Sequence, residues 1–457
     1  MPTPGIRAVR RSRWGIVSAL VFLAVLFLYV IVLPIFRPRG ALLWGHYRLL
    51  DVYAGIPVIL ATLVALTVWA TPASRRRTVA LRLTTVMLVV VPTLFLFDLV
   101  YTLAQPAFRQ PDFWLDGGVI ERAYSTPDPD LGFVRKSGVS WRRHVSERGQ
   151  PVSYRTDEHG FRNHPGAKAA DVVFIGDSFT EAAWIAEEAT FVRRVGAETG
   201  LRVVNLGRGA YGPQQELIVL ERFGLAYQPE LVVWQLFEGN DLMDAKNFAV
   251  WRANPRARER PVKVRYHQNS AFFRLLAKTE DRAPSRELEI LIDYHDGVRQ
   301  RKELRYRVVP DQADALADAF AETEKALAAG ARWCESRGAR LVVLLVPTML
   351  QVLESFITFE RAEDRDRALP GGLVRSPGDF ASRLRAVCEK AGCIYVDAFD
   401  ALRARALIDN SRVFDRHDPD EHLDVDGHEV VARLIGNVIR SRKGDDRRHA
   451  DQGRRGL

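Results

Sequence analysis

Apolar positions follow two different regimes along the 457-residue chain. The amino-terminal part carries three nearly unbroken runs, Trp14 to Phe36, Val52 to Ala70 and Val79 to Leu103. Each is long enough for a helix that crosses a bilayer, which takes about 20 mainly apolar residues. Beyond Asp171 the pattern changes to short β-branched runs alternating with amphipathic stretches, as in parallel strands joined by crossover helices. The runs predict strands over Val172 to Ile175, Arg202 to Leu206, Leu231 to Leu236, Arg340 to Val346 and Ile394 to Val396. Helices are predicted near Glu181 to Thr199, Gln214 to Phe223, Asp311 to Arg337, Asp379 to Lys390 and Gly427 to Arg440. The expected fold is α/β, a sandwich built on a parallel sheet and preceded by three transmembrane helices.

These regimes set the expected boundaries. Residues 1–104 form a membrane unit, 105–170 a linker and lead-in opening on the Pro/Asp/Gly-rich stretch Thr126 to Gly132, and 171–440 the α/β domain. Residues 441–457 read as a disordered basic tail, and Lys246 to Val309 as a polar, basic insertion. Arg7, Arg10, Arg11 and Arg13 precede the first run, which is too long for a signal peptide and lacks a small-residue cleavage site, so it reads as an uncleaved anchor. Arg75, Arg76 and Arg77 place the second loop on the cytoplasmic side with the amino terminus, while Arg37, Arg39 and Arg48 in the first loop pull the other way. With three spans the carboxy-terminal unit lies outside, in a multi-pass protein of the cytoplasmic membrane. Asp98 sits in the third run, where a carboxylate is costly; its place near the outer end favours contact with the interface or a neighbouring helix over a transport role.

Charge and cysteine content narrow the function. The net charge is +9, carried mostly by scattered Arg without the aromatic interleaving that single-strand binders use, which argues against nucleic acid. Cys334, Cys388 and Cys393 fit neither a zinc ligand set nor a disulfide framework and read as buried or partly buried thiols. No metal site is expected.

In parallel α/β sheets, ligands bind beyond the carboxyl ends of the strands. The first strand ends in Gly176-Asp177-Ser178-Phe179-Thr180, a strand-to-helix turn that can present the Ser178 hydroxyl, although a helix cap is the plainer role for a Gly-Asp-Ser triplet. The second ends in Asn205-Leu206-Gly207-Arg208-Gly209-Ala210-Tyr211-Gly212, whose glycines let backbone N–H groups approach a ligand. After the third comes Glu238-Gly239-Asn240-Asp241, which can aim an Asn amide at a developing oxyanion or simply turn the chain. A late loop, Asp418-Pro419-Asp420-Glu421-His422, offers a base with a carboxylate to orient it.

Taken in order, these blocks resemble the SGNH/GDSL hydrolase superfamily, and Thr156 to Arg162 resembles the lead-in of its membrane-linked bacterial members. The resemblance runs from about Pro127 to Arg440 and leaves out the three spans. It implies a three-layer α/β/α sandwich and ester hydrolysis or acyl transfer through an acyl-serine, without metal or organic cofactor. By position, Ser178 is the implied nucleophile and one oxyanion donor, Asn240 the side-chain donor, His422 the base and Asp420 its acid. The glycine expected in the second block falls at Ala210, with Gly209 just before it; Ala210 is expected to serve if its φ is negative. Many members place the acid where Pro419 stands here, so Asp418 remains an alternative to Asp420. His417 and His428 are the competing histidines, and His428, inside the last predicted helix, reads as a packing or capping residue. The expected substrate is an ester-linked acyl group, most simply acetyl, on an extracytoplasmic glycan or glycolipid at the lipid bilayer, with a membrane acyl-transfer protein as a further partner. An O-acetyltransferase would use the same residues, and a non-catalytic glycan-binding scaffold is the reading from another class.

Overall fold

The computed structural model describes residues 21–32, 49–104, 113–115, 118–120, 124–144, 151–253, 270–272, 288–304, 316–369, 372, 374–375, 379–416 and 421–455. The chain divides into two compact units: Met1–Asp112 with Glu259–Pro284, and Phe113–Arg258 with Ser285–Leu457.

In the first unit, helices α1 (Leu49–Ala70) and α2 (Arg76–Ala104) pack side by side. At about 1.5 Å per residue the 29-residue α2 is roughly 44 Å long, against a hydrocarbon thickness of about 30 Å. Leu81, Leu88, Leu94, Leu96 and Phe97 are exposed away from the face that buries Asp98 and Thr102, a surface suited to lipid. Thr62, Thr67, Thr85, Thr93 and Thr102 each donate their hydroxyl to the carbonyl four residues earlier, so these polar groups are satisfied within their own helix. Of the three expected spans, α2 alone among the described residues is long and apolar enough to cross a membrane; Val21–Val30 and Ala54–Ala70 are shorter apolar helices. The run Trp14 to Phe36 is described only over 21–32.

Asp98 is buried in α2. One carboxylate oxygen accepts from Ser270 Oγ at 2.8 Å and the other from the backbone N–H of Phe272 at 3.1 Å, where a helical turn begins. The carboxylate thus anchors a segment from inside the expected insertion to the apolar helix. Part of that insertion therefore belongs to this unit rather than to the catalytic domain that surrounds it in sequence.

The second unit is built on a five-stranded sheet. Its strands are β1 (Val172–Ile175), β2 (Val203–Asn205), β3 (Leu231–Phe237), β4 (Arg340–Val346) and β5 (Ile394–Asp397). All are parallel, in the order 2-1-3-4-5, so the order reverses at β1 and opens a crevice beyond its carboxyl end. Side chains alternate between two cores: Phe174, Val233 and Leu344 point to one, Ile175, Trp234 and Leu345 to the other. Burial on both faces is why these strands read as continuous apolar runs.

The helices depart from expectation where tertiary contacts intervene. The stretch predicted as one helix from Glu181 to Thr199 forms α3 (Ser178–Glu181), a 3-10 turn (Glu187–Ala189) and α4 (Phe191–Thr199). The break falls at Ala182, held at φ +47° while Arg162 takes the carbonyls of Glu181 (3.2 Å), Ala182 and Ile185 (2.6 Å). The final helix, α5 (Val425–Arg455), continues past Arg440 through residues expected to be a disordered tail. Arg, Lys, Ala and Gln in that stretch are good helix formers.

The regions read as a linker with lead-in and as a polar insertion both contain strands. The lead-in forms hairpins, Ser125–Asp128 with Gly132–Arg135 and Ser140–His144 with Pro151–Arg155. Leu131, Phe133 and Tyr154 are buried, and the carbonyls of Leu131 and Phe133 accept from Gln215 Nε2 at 2.8 Å and Tyr211 Oη at 2.5 Å, so the lead-in is part of the core. Strands Leu288–Asp293 and Arg299–Leu304, within the expected insertion, join Ile357–Phe359 in an antiparallel sheet. All three cysteines are free thiols.

Candidate active site

Ser178 stands one turn beyond β1, at the crevice. The turn depends on Gly176, whose φ is +151° and where a Cβ would lie 2.5 Å from Thr180 Oγ1. Asp177 caps α3 by accepting from the backbone N–H of Phe179 at 2.9 Å. Its half-buried neighbour Ser178 has its Oγ 2.7 Å from His422 Nε2.

His422 is 6% exposed and reaches the site from the loop before α5. Its carbonyl accepts from the backbone N–H of Asp415 at 2.9 Å, and Leu423 bridges to Phe414, which fixes the loop from both sides. The ring is flanked by Phe179, with centroids 4.9 Å apart, and by the half-buried Trp184 at 6.1 Å. Asp420, expected as the acid, its alternative Asp418 and the competing His417 lie outside the described residues. His428 is buried away from the nucleophile: its Nδ1 accepts from the Phe191 N–H at 3.2 Å and its ring stacks on Phe191. Burial, aided by nearby Arg162, pushes its pKa down to about 3, so it is a neutral packing residue at ordinary pH.

The second block settles which N–H is free. Gly207 packs so tightly that a Cβ would lie 2.5 Å from Thr180 Cβ, which draws this loop against the nucleophile turn. The Gly209 N–H donates to Glu181 Oε2 at 2.7 Å and is spent there, which removes it from the expected oxyanion donors. Ala210 is exposed, and its N–H enters no hydrogen bond among the described residues. Its φ is +65°, so the negative φ on which its role was made conditional is not met, and an L-residue occupies a conformation that favours glycine; the direction of its N–H, not the sign of φ, decides whether it can donate. Ser178 N–H is likewise unengaged among the described residues. Asn240 follows β3 at the same sheet edge, with one hydrogen of its Nδ2 on Asp244 Oδ2 at 2.8 Å and the other uncommitted among the described residues.

Sequence reasoning missed Glu181. It is buried three residues after the nucleophile and gathers four donors: Arg135 Nη2 (2.9 Å) and Tyr154 Oη on Oε1, Arg208 Nη1 (2.9 Å) and Gly209 N–H on Oε2. Burial alone would raise its pKa; the two guanidiniums, the phenol and the amide outweigh burial and hold it well below the usual carboxylate range. The available signal was Arg208, a charge inside a glycine-rich turn that must find a counterion. Asp177, Glu216 and Asp241 are also shut off from solvent, and burial pushes each toward its neutral form, Asp177 up to about 6. Among the described residues no cluster of three or more His, Cys, Asp or Glu is arranged to hold a metal.

No protein-family model matches the chain, and no curated protein does. Solved structures similar to it include LAE5, an α/β hydrolase enzyme from the metagenome of Lake Arreo, at 18% identity over 59% of this chain and 94% of that one, with a TM-score of 0.30. A lipolytic protein of the G-D-S-L family from Desulfitobacterium hafniense is 13% identical over 58% of this chain and 98% of that one, with a TM-score of 0.29. A variant of Axe2, an acetylxylan esterase from Geobacillus stearothermophilus, is 15% identical over 59% and 94%, with a TM-score of 0.31.

Proposed function

We propose that this chain is a membrane-anchored serine esterase of the SGNH/GDSL type, working through an acyl-serine. The observation that carries the reading is the 2.7 Å approach of His422 Nε2 to Ser178 Oγ; the N–H groups of Ser178 and Ala210 are unengaged among the described residues. A serine hydroxyl is a weak nucleophile until a base takes its proton as it attacks. In the proposed reaction His422 removes that proton, and Ser178 Oγ adds to the ester carbonyl. The negative charge moves onto the carbonyl oxygen, where Ser178 N–H, Ala210 N–H and Asn240 Nδ2 stabilise it. Collapse expels the alcohol, which His422 protonates, and a second nucleophile then releases the acyl group by the same steps in reverse.

Water as the second nucleophile makes the enzyme an esterase; a sugar hydroxyl makes it an O-acyltransferase. Anchoring by α2 and the Arg75 to Arg77 cluster support an extracytoplasmic site acting on acyl groups, most simply acetyl, of a glycan or glycolipid near the bilayer. Trp184 beside His422 offers an aromatic wall for the sugar bearing the ester.

The test is labelling of the full-length protein in membranes by a fluorophosphonate, which phosphonylates activated serines. Strong labelling is expected, abolished in Ser178→Ala and weakened at least a hundredfold in His422→Ala. A wild-type protein that takes no label would overturn the enzyme reading and leave a glycan-binding scaffold. Product analysis with an acetylated glycan, with and without an acceptor sugar, separates hydrolysis from transfer.

A further inference from the structure

We infer that Glu181 is a positioning residue for the oxyanion site: its carboxylate grips the Gly209 N–H and Arg208 so that the next residue, Ala210, is held left-handed with its own N–H free for the substrate oxyanion. The inference rests on the esterase reading and adds to it a residue outside the Ser, Gly, Asn and His blocks.

The geometry is a chain of restraint. Glu181 lies on the same short helix as Ser178, so whatever it holds is indexed to the nucleophile. Oε2 takes Gly209 N–H at 2.7 Å and Arg208 Nη1 at 2.9 Å, fixing both the backbone and the side chain of the second block. Oε1 is held in turn by Arg135 Nη2 at 2.9 Å and Tyr154 Oη, which reach in from the two lead-in hairpins. A Cβ at position 209 would come within 3.0 Å of Glu181 Oε2 and 3.4 Å of Ser178 Cβ, so Gly209 is the residue that lets carboxylate, loop and nucleophile meet.

Ala210 needs such a restraint. An L-residue in the left-handed region lies above its right-handed alternative because Cβ crowds the following carbonyl, so an exposed alanine would not stay there on its own preference. Relaxation to negative φ would swing its N–H away, and displacement of a reacting group by about 1 Å can cost about a hundredfold in rate.

The sign of the effect separates positioning from electrostatics. Glu181 is a negative charge close to where a negative oxygen develops. If its charge were what the oxyanion felt, neutralising it would leave kcat unchanged or raise it. If its grip matters, neutralising it weakens the hold of Arg135 and Arg208 and lowers kcat while substrate binding stays the same.

The experiment compares full-length Glu181→Gln with wild type in detergent, using p-nitrophenyl acetate turnover and the rate of fluorophosphonate inactivation, with folding followed by thermal melting. The expected result is a fall in kcat of tenfold or more, KM within about threefold, and a parallel fall in the inactivation rate, whose phosphoryl oxygen sits in the same site. A folded Glu181→Gln with kcat equal to or above wild type overturns the proposal. Should that variant fail to fold, Tyr154→Phe decides: it removes one donor to Oε1 and keeps both guanidiniums. A severalfold loss of kcat at constant KM then supports the positioning role, and unchanged kcat overturns it. A wild-type protein without turnover or labelling would instead defeat the esterase reading itself.

Discussion

Ala210 and His428 show how far single residues can be read. A glycine in the second block is the ordinary solution for a left-handed backbone, and at Ala210 the chain uses an exposed L-residue at φ +65° instead. Ala210→Gly should therefore raise stability by about 1 kcal/mol, read as a higher urea midpoint in detergent, with kcat within twofold because the N–H survives. A lower midpoint would mean that the alanine is not strained. His428 makes a pH prediction. Its folded pKa lies near 3 against an ordinary value of 6.5, so the unfolded chain binds this proton first. The stability it contributes is complete above pH 6.5 and is lost as pH falls from there toward 3, at about 1.4 kcal/mol per unit. Asp177, whose folded pKa is raised to about 6, changes stability in the opposite direction, so the test is the difference between wild type and His428→Gln. That difference should shrink steadily between pH 7 and pH 5; a constant difference would show that His428 does not titrate on unfolding.

Among elements, what could be read followed what was local. The five strands were legible because their apolar runs are buried on both faces, and their ends placed Ser178 and Asn240 on one edge. His422 was legible from its block order. The broken helix after Ser178 was not: Glu181-Ala182-Ala183-Trp184 contains no Gly or Pro, and the break is imposed by Arg162, about twenty residues earlier, through three carbonyls. The lead-in hairpins were missed because their strands run only four or five residues, too short for the alternation of Val152, Ser153, Tyr154 and Arg155 to stand out among polar neighbours. Arg162 can be tested at this scale. Arg162→Met keeps the bulk but strips the guanidinium from three buried carbonyls, of which Ala182 retains a 3.5 Å bond from the Ile185 N–H; with the other two orphaned at about 1–3 kcal/mol each, the protein should lose at least about 2 kcal/mol in urea unfolding. A loss under 1 kcal/mol would show that the segment after Ala182 holds its shape without the guanidinium.

At the scale of the whole molecule, the chain passes between its two units three times, at the boundaries after Asp112, after Arg258 and after Pro284. Sequence reasoning expected one passage, because Lys246 to Val309 looked like a uniform polar insertion; the feature that divides it is the bond from Asp98 to Ser270 and Phe272. A consequence for release follows. One protease site engineered between residues 105 and 112 leaves Phe113–Leu457 without a covalent link to the helices, yet residues 259–284 still belong to the helical unit, held there by the bonds from Ser270 and Phe272 to Asp98. After complete cleavage, esterase activity should sediment with the vesicles, and appearance of the activity in the supernatant would show that these contacts do not hold the fragment. A soluble enzyme accordingly requires two excisions, of residues 1–112 and of 259–284 with a short bridge in place of the latter. Removing only the amino-terminal helices would strip Ala271 and Phe272 of the apolar residues Leu94, Phe95 and Phe97 beside them, a route to aggregation rather than release.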